Sequence, residues 1–114
     1  PSACRQARAL GFDAIELFPP GPDAVDAAEL KSLLDDTGLS LAAVGTGAGW
    51  VRHKLTLTTA DPDAHATAMS FVRGLIDFAA VFDAPVIIGS MQGRAADPAG
   101  HKTTMGYLAE ALLN

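Results

Sequence analysis

Glu16, Trp50, His53, Lys54, Gln92 and Arg94 are the side chains of this sequence whose types and settings could do chemistry. Glu16 interrupts an apolar run, Ala14-Ile15-Glu16-Leu17-Phe18. In an extended strand Ile15 and Leu17 share one face, and Ala14, Glu16 and Phe18 share the other. If the leucine face meets helices, Glu16 points to the opposite, enclosed side near the strand end. A carboxylate there needs a partner or a ligand, because burying it unpaired is costly. Two roles follow: a structural carboxylate bonded to a neighbouring strand or loop, or a direct substrate contact.

The segment Gly45-Thr46-Gly47-Ala48-Gly49-Trp50-Val51-Arg52-His53-Lys54 follows a second apolar run. Glycines let backbone approach a ligand closely. Trp50 offers a flat apolar wall suited to a sugar face, and His53 and Lys54 can hold a hydroxyl, a carboxylate or a phosphate. The alternative is a hydrophobic loop anchor with solvated charges around it. A third segment, Gly89-Ser90-Met91-Gln92-Gly93-Arg94, follows another apolar run. Arg94 can fork onto a phosphate or carboxylate, and Gln92 can bind hydroxyls. His65 and His101 fall in helical patterns and read as surface or packing residues. No histidine and carboxylate cluster has metal-ligand spacing, and no G-x-S-x-G nucleophile elbow occurs.

The elements that must position these residues repeat. Three times a helix end, a turn residue and a short apolar strand follow one another, at residues 7–18, 33–46 and 78–90. Gly11 and Gly38 stand where a helix end needs a left-handed residue, and Asp83 takes that place in the third copy. Asp61-Pro62 predicts a helix start, N-cap then proline at the first helical position. Ala64, Ala68, Val72, Leu75, Ile76 and Ala79 then recur at helical spacing. Asp97-Pro98 predicts another start, with Met105, Leu108 and Leu112 on one face. Earlier in the chain, the helix after Pro20-Gly21-Pro22 carries Leu30, Leu33 and Leu34, with Asp26 and Glu29 near its positive end.

Strand and helix in alternation predict a parallel sheet with right-handed crossovers. Pro85-Val86-Ile87-Ile88 is apolar on both faces, as a doubly covered strand should be. No glycine-rich nucleotide fingerprint follows any strand. The strand-to-helix connections are long and decorated while the helix-to-strand turns are short, which suits the catalytic face of a closed (β/α)₈ barrel more than an open sheet.

The bulk properties narrow the function. Hydrophobic residues are 49% and charged residues 18%, a globular composition. The net charge of −5 argues against tight duplex DNA binding, which draws its affinity from Lys and Arg on phosphates. No apolar run approaches membrane-span length. The single cysteine, Cys4, excludes an internal disulfide, reads as a small buried helix residue and fits a reducing, cytoplasmic compartment. The sequence opens at Pro1, inside a helical pattern, so the parent's start is expected upstream.

These features together resemble the xylose isomerase-like barrels, the superfamily of sugar and sugar-phosphate isomerases and epimerases that also holds metal-dependent apurinic endonucleases. Ala9-Leu10-Gly11-Phe12-Asp13-Ala14-Ile15-Glu16-Leu17 looks like that family's second strand. Ile76-Asp77-Phe78-Ala79, through Ala84-Pro85 to Val86-Ile87-Ile88-Gly89-Ser90-Met91-Gln92-Gly93, looks like its third helix and fourth strand. Residues 45–57 fit the loop after its third strand. The resemblance implies that residues 1–114 are one partial TIM-barrel domain, an α/β fragment of about strands 2–4 with flanking helices.

It also implies a metal-dependent sugar or sugar-phosphate isomerase or epimerase, working by proton transfer through an enediolate. The divalent metal (Mn²⁺, Mg²⁺ or Co²⁺) and the acid–base pair are expected on later strands, beyond residue 114. Glu16, Trp50, His53, Lys54, Gln92 and Arg94 are then the substrate-binding candidates, with a small sugar or sugar phosphate as partner. The endonuclease branch adds histidines after its third and fourth strands; here His53 occupies the first region, but Met91 and Gln92 the second. A third alternative is a non-catalytic sugar-binding or assembly half-barrel. Three strands cannot close a barrel, so these residues alone are expected to lack catalysis, and their open edges to invite pairing with another chain or a homo-oligomer.

Overall fold

Two of the helices begin where the sequence supplies a capping aspartate. In the computed structural model, which describes residues 2–114, α1 spans Ser2–Ala9, β1 Ala14–Leu17, α2 Ala27–Thr37, β2 Ser40–Gly45 and α3 Gly47–His53. The chain continues through α4 (Pro62–Ala80), β3 (Val86–Ile87), a 3₁₀ turn (Ser90–Gln92) and α5 (His101–Leu113). Asp26 caps α2 by accepting from the Glu29 amide at 2.8 Å. Asp61 caps α4 by accepting from the Asp63 and Ala64 amides, both at 2.9 Å. Gly11, Gly38 and Asp83 all take positive φ, at 89°, 65° and 53°, as the turns into the three strands require.

The strands form one parallel sheet in the order β1-β2-β3. Ile15 pairs with Leu41, but Glu16 pairs with Ala43, so Ala42 is an extra residue in β2. This bulge lets Leu41 and Val44, three positions apart, both face the helices. A straight strand would turn one of them away.

On that face Cys4, Leu30, Leu34, Leu39, Leu41, Val44, Leu75, Phe78 and Ala79 form the main core, with Ile15 and Leu17 packed against it. Leu75 and Val44 are fully buried. A second core lies towards the strand C-terminal ends and holds Leu57, Ala68, Met69, Val72, Met91 and Ala111. The radius of gyration is 16.1 Å, above the roughly 13 Å of a compact domain of this length. The sheet is accordingly an open arc of a barrel wall, with β1 and β3 as its edges. No helix among the described residues is long and apolar enough to cross a membrane.

Three expected details differ. Residues 47–53 are a helix and not a loop. The last helix starts at His101, because Asp97 accepts from the Gly100 amide at 2.7 Å and closes a turn first. Its buried side is Leu108 and Ala111, while Met105 and Leu112 stay exposed. In α4 the buried face runs through Met69 and Phe78, and Ile76 is exposed.

Candidate functional site

The strand C-terminal ends are held together by Thr46. This residue is fully buried. Its amide and hydroxyl both donate to the Ile87 carbonyl at 3.1 Å, and its hydroxyl accepts from the Gly89 amide at 3.4 Å. Thr46 thus ties the end of β2 to the end of β3. Thr46→Val keeps the shape and removes the hydroxyl bonds. It is expected to cost about 0.5–1.5 kcal/mol and to speed hydrogen exchange at the Gly89 amide. Unchanged exchange there would remove Thr46 from this role.

From Thr46 the chain turns into α3. Gly49 is buried against Met91 and Phe71, and a side chain at this position would overlap Met91. Close contact with the 3₁₀ turn therefore requires a glycine at a helical position. The helix ends at Lys54, whose φ of 58° is left-handed. The following segment then crosses to the 3₁₀ turn: the Leu57 amide donates to the Met91 carbonyl at 2.8 Å. Leu57 is buried, so its neighbours Thr56 and Thr58 face the other way, their hydroxyls 3.0 Å apart.

Trp50, Thr56, Thr58, Ser90, Gln92, Gly93 and Arg94 line one cavity of about 440 Å³. Gly93 has φ 77° and ψ −168°, and a side chain there would overlap the hydroxyls of Thr56 and Thr58. The cavity combines an indole wall, three hydroxyls, one amide and one guanidinium. That set matches a small polyhydroxylated molecule: hydroxyls and amides both donate and accept, and an aromatic face covers the apolar side of a sugar ring. It contains no paired carboxylates or histidine to move a proton.

The sequence candidates therefore divide. Trp50, Gln92 and Arg94 share the cavity. Lys54 stands beside it, with Nζ 5.5 Å from the Trp50 ring centre and donating to the Val51 carbonyl at 3.3 Å. His53 borders a different recess with Pro20, Pro22 and Phe71, and its Nε2 lies 2.8 Å from the Pro20 carbonyl. Glu16 is exposed and borders the groove between α1 and α2, with Cys4, Leu17 and Glu29. Thr56 and Thr58 do not stand out in the sequence, and Ser90 does so only as part of the segment 89–94. The polar-apolar-polar order Thr56-Leu57-Thr58 is the signal that marks the two threonines.

Among the described residues no three His, Cys, Asp or Glu side chains gather to hold a metal ion. These residues thus do not by themselves form the cation site that the family resemblance implies.

Parallel β/α units, with a polar cavity over the carboxyl ends of the strands, define a TIM-barrel wall, and the cavity lies on the face where such barrels keep their sites. The sequence matches the family model of the xylose isomerase-like TIM barrel over residues 4–113, and the chain belongs to that family. Solved structures resemble it, two epimerases among them. A D-psicose 3-epimerase determined in the presence of D-fructose aligns with a TM-score of 0.74 at 20% identity, over 97% of this chain and 39% of its own. A D-allulose 3-epimerase from Methylomonas sp. aligns with a TM-score of 0.63 at 25% identity, over 98% of this chain and 42% of its own. The chain spans about two fifths of the length of these epimerases. No curated protein matches the sequence.

Proposed function

We propose that the protein is a sugar isomerase or epimerase, and that the residues described here hold the substrate. The observation that carries this reading is the cavity of Trp50, Thr56, Thr58, Ser90, Gln92 and Arg94 on the strand C-terminal side of a xylose isomerase-like barrel. The epimerase structures it resembles point to a ketose, and D-fructose is the first probe. In this reading a proton leaves and returns at the carbon beside the sugar carbonyl. The cavity supplies no group for that step; Trp50 and the hydroxyls orient the ring and exclude water. A divalent cation belongs to the proposal, but the described residues do not fit one alone.

The same geometry speaks against the endonuclease reading. His53, the candidate that reading would need, is engaged with the Pro20 carbonyl, and the net charge is −5. The test is incubation of the whole protein in D₂O with free and phosphorylated ketoses. Deuterium entering beside the carbonyl, with a new epimer or aldose, is the expected result. Tight sugar binding with no exchange across the panel would point to a binding module instead.

Arg94 also reports on the substrate's charge, because it is the cation among the cavity's lining residues. Hydrogen bonds to charged groups contribute about 1.5–3 kcal/mol and neutral ones about 0.5–1.5. Arg94→Ala should therefore raise KM roughly 10- to 100-fold for a sugar phosphate and roughly 2- to 10-fold for a free sugar, with kcat little changed. A fall in kcat at constant KM would place Arg94 elsewhere in the reaction.

A further inference from the structure

We propose that His53 is a positioning residue, which holds the loop between β1 and α2 against α3 and so sets where Phe18 stands at the mouth of the barrel. A carbonyl can only accept, so the 2.8 Å contact requires Nε2 of His53 to donate to the Pro20 carbonyl. The two residues lie 33 positions apart, and their bond joins the first strand-to-helix loop to the end of α3. The His53 ring is held in turn by Phe71 of α4, at 5.7 Å between centroids and tilted by 56°. Phe71 also approaches Gly49, one residue before Trp50.

The loop has a second attachment further on. Pro22 lies so close to Gly74 of α4 that a side chain there would sit 2.8 Å from the proline Cβ. That contact involves no hydrogen bond, so the His53 bond is the polar attachment of the loop to α3. At the near end of the loop, Phe18 is 59% exposed, yet its ring covers Gly45 at the end of β2. Phe18 therefore reaches over the strand ends, beside the start of α3. The His53 bond fixes the segment that carries it.

The kinetic part of this inference rests on the sugar isomerase reading; the structural part does not. The experiment compares His53→Ala and His53→Gln in the whole protein, since glutamine keeps a side-chain N–H donor. Exchange of the Ala24 amide, which donates to the Gly21 carbonyl at 3.2 Å, reports loop order. Loss of one net hydrogen bond should speed it about 2- to 10-fold in His53→Ala, with β2 amides unchanged and glutamine restoring the slower rate. KM for the ketose should rise by a similar factor at nearly constant kcat, again restored by glutamine. Unaltered Ala24 exchange in His53→Ala overturns the tether. Faster loop exchange with an unaltered KM overturns the positioning role. Absence of turnover in the unsubstituted protein fails the isomerase reading alone, and the exchange comparison still decides the tether.

Discussion

Replacing Met91 with alanine is expected to destabilise the protein by about 2–5 kcal/mol and, under the proposed function, to weaken sugar binding in the same step. Met91 is fully buried and belongs to the second core, with Leu57, Ala68, Met69, Val72 and Ala111. Its side chain presses on Gly49, and its carbonyl accepts from the Leu57 amide at 2.8 Å and the Thr56 hydroxyl at 3.4 Å. Truncation leaves a void between α3 and the 3₁₀ turn, the two elements that carry Trp50 and Gln92. Methionine to leucine conserves volume and should cost less than about 1.5 kcal/mol. Urea unfolding of the three proteins, followed by the fluorescence of Trp50, separates these cases. Coincident midpoints for wild type and Met91→Ala would mean that the second core does not support the site.

Gly93→Val is expected to be at least as damaging to the cavity. The backbone at Gly93 lies at φ 77° and ψ −168°, a region that side-chain-bearing residues occupy only with about 1–3 kcal/mol of strain. The new side chain would also overlap Thr58 and Thr56, so strain and collision add. Gly106 supplies the control: it lies within α5, and nothing lies within 4 Å of a Cβ built there. Gly106→Ala should shift stability by no more than about 0.5–1 kcal/mol, the ordinary difference between these residues. Equal losses at the two positions would show that the fit of Gly93 against the threonines is unimportant.

The contrast between these glycines marks what could be read from sequence. Local rules sufficed for the caps and turns: Asp61-Pro62, Gly11, Gly38 and Asp83 act through their own backbones and near neighbours. Alternation sufficed to place Ile15 and Leu17 on the helix side, but not Glu16, which is exposed beside the groove between α1 and α2 and does not face an enclosed interior. The joint position of Trp50, Gln92 and Arg94 followed from strands ending on one face of a parallel sheet. The helix at 47–53 was not legible, because glycines at 47 and 49 weaken helix propensity. Gly49 is there for its contact with Met91, which no local pattern announces. Thr56 and Thr58 enter the cavity through the bond between Leu57 and Met91, a long-range pairing. His53 was separated from the other candidates by its bond to Pro20, which joins a loop to the end of a helix distant in sequence.

The extra residue in β2 has a consequence for alignment. Over residues 40–44 the strand has one residue more than the stretch of β1 it pairs with, and the surplus lies at Ala42. Removing that residue would leave Leu41 and Val44 facing the helices and Gly45 under Phe18, as they are now. Removing any residue between Val44 and Trp50 would instead shift α3, with its indole, relative to the cavity. Length variation among relatives is therefore tolerable at one point of this strand. A relative one residue shorter here should be aligned with its gap at Ala42.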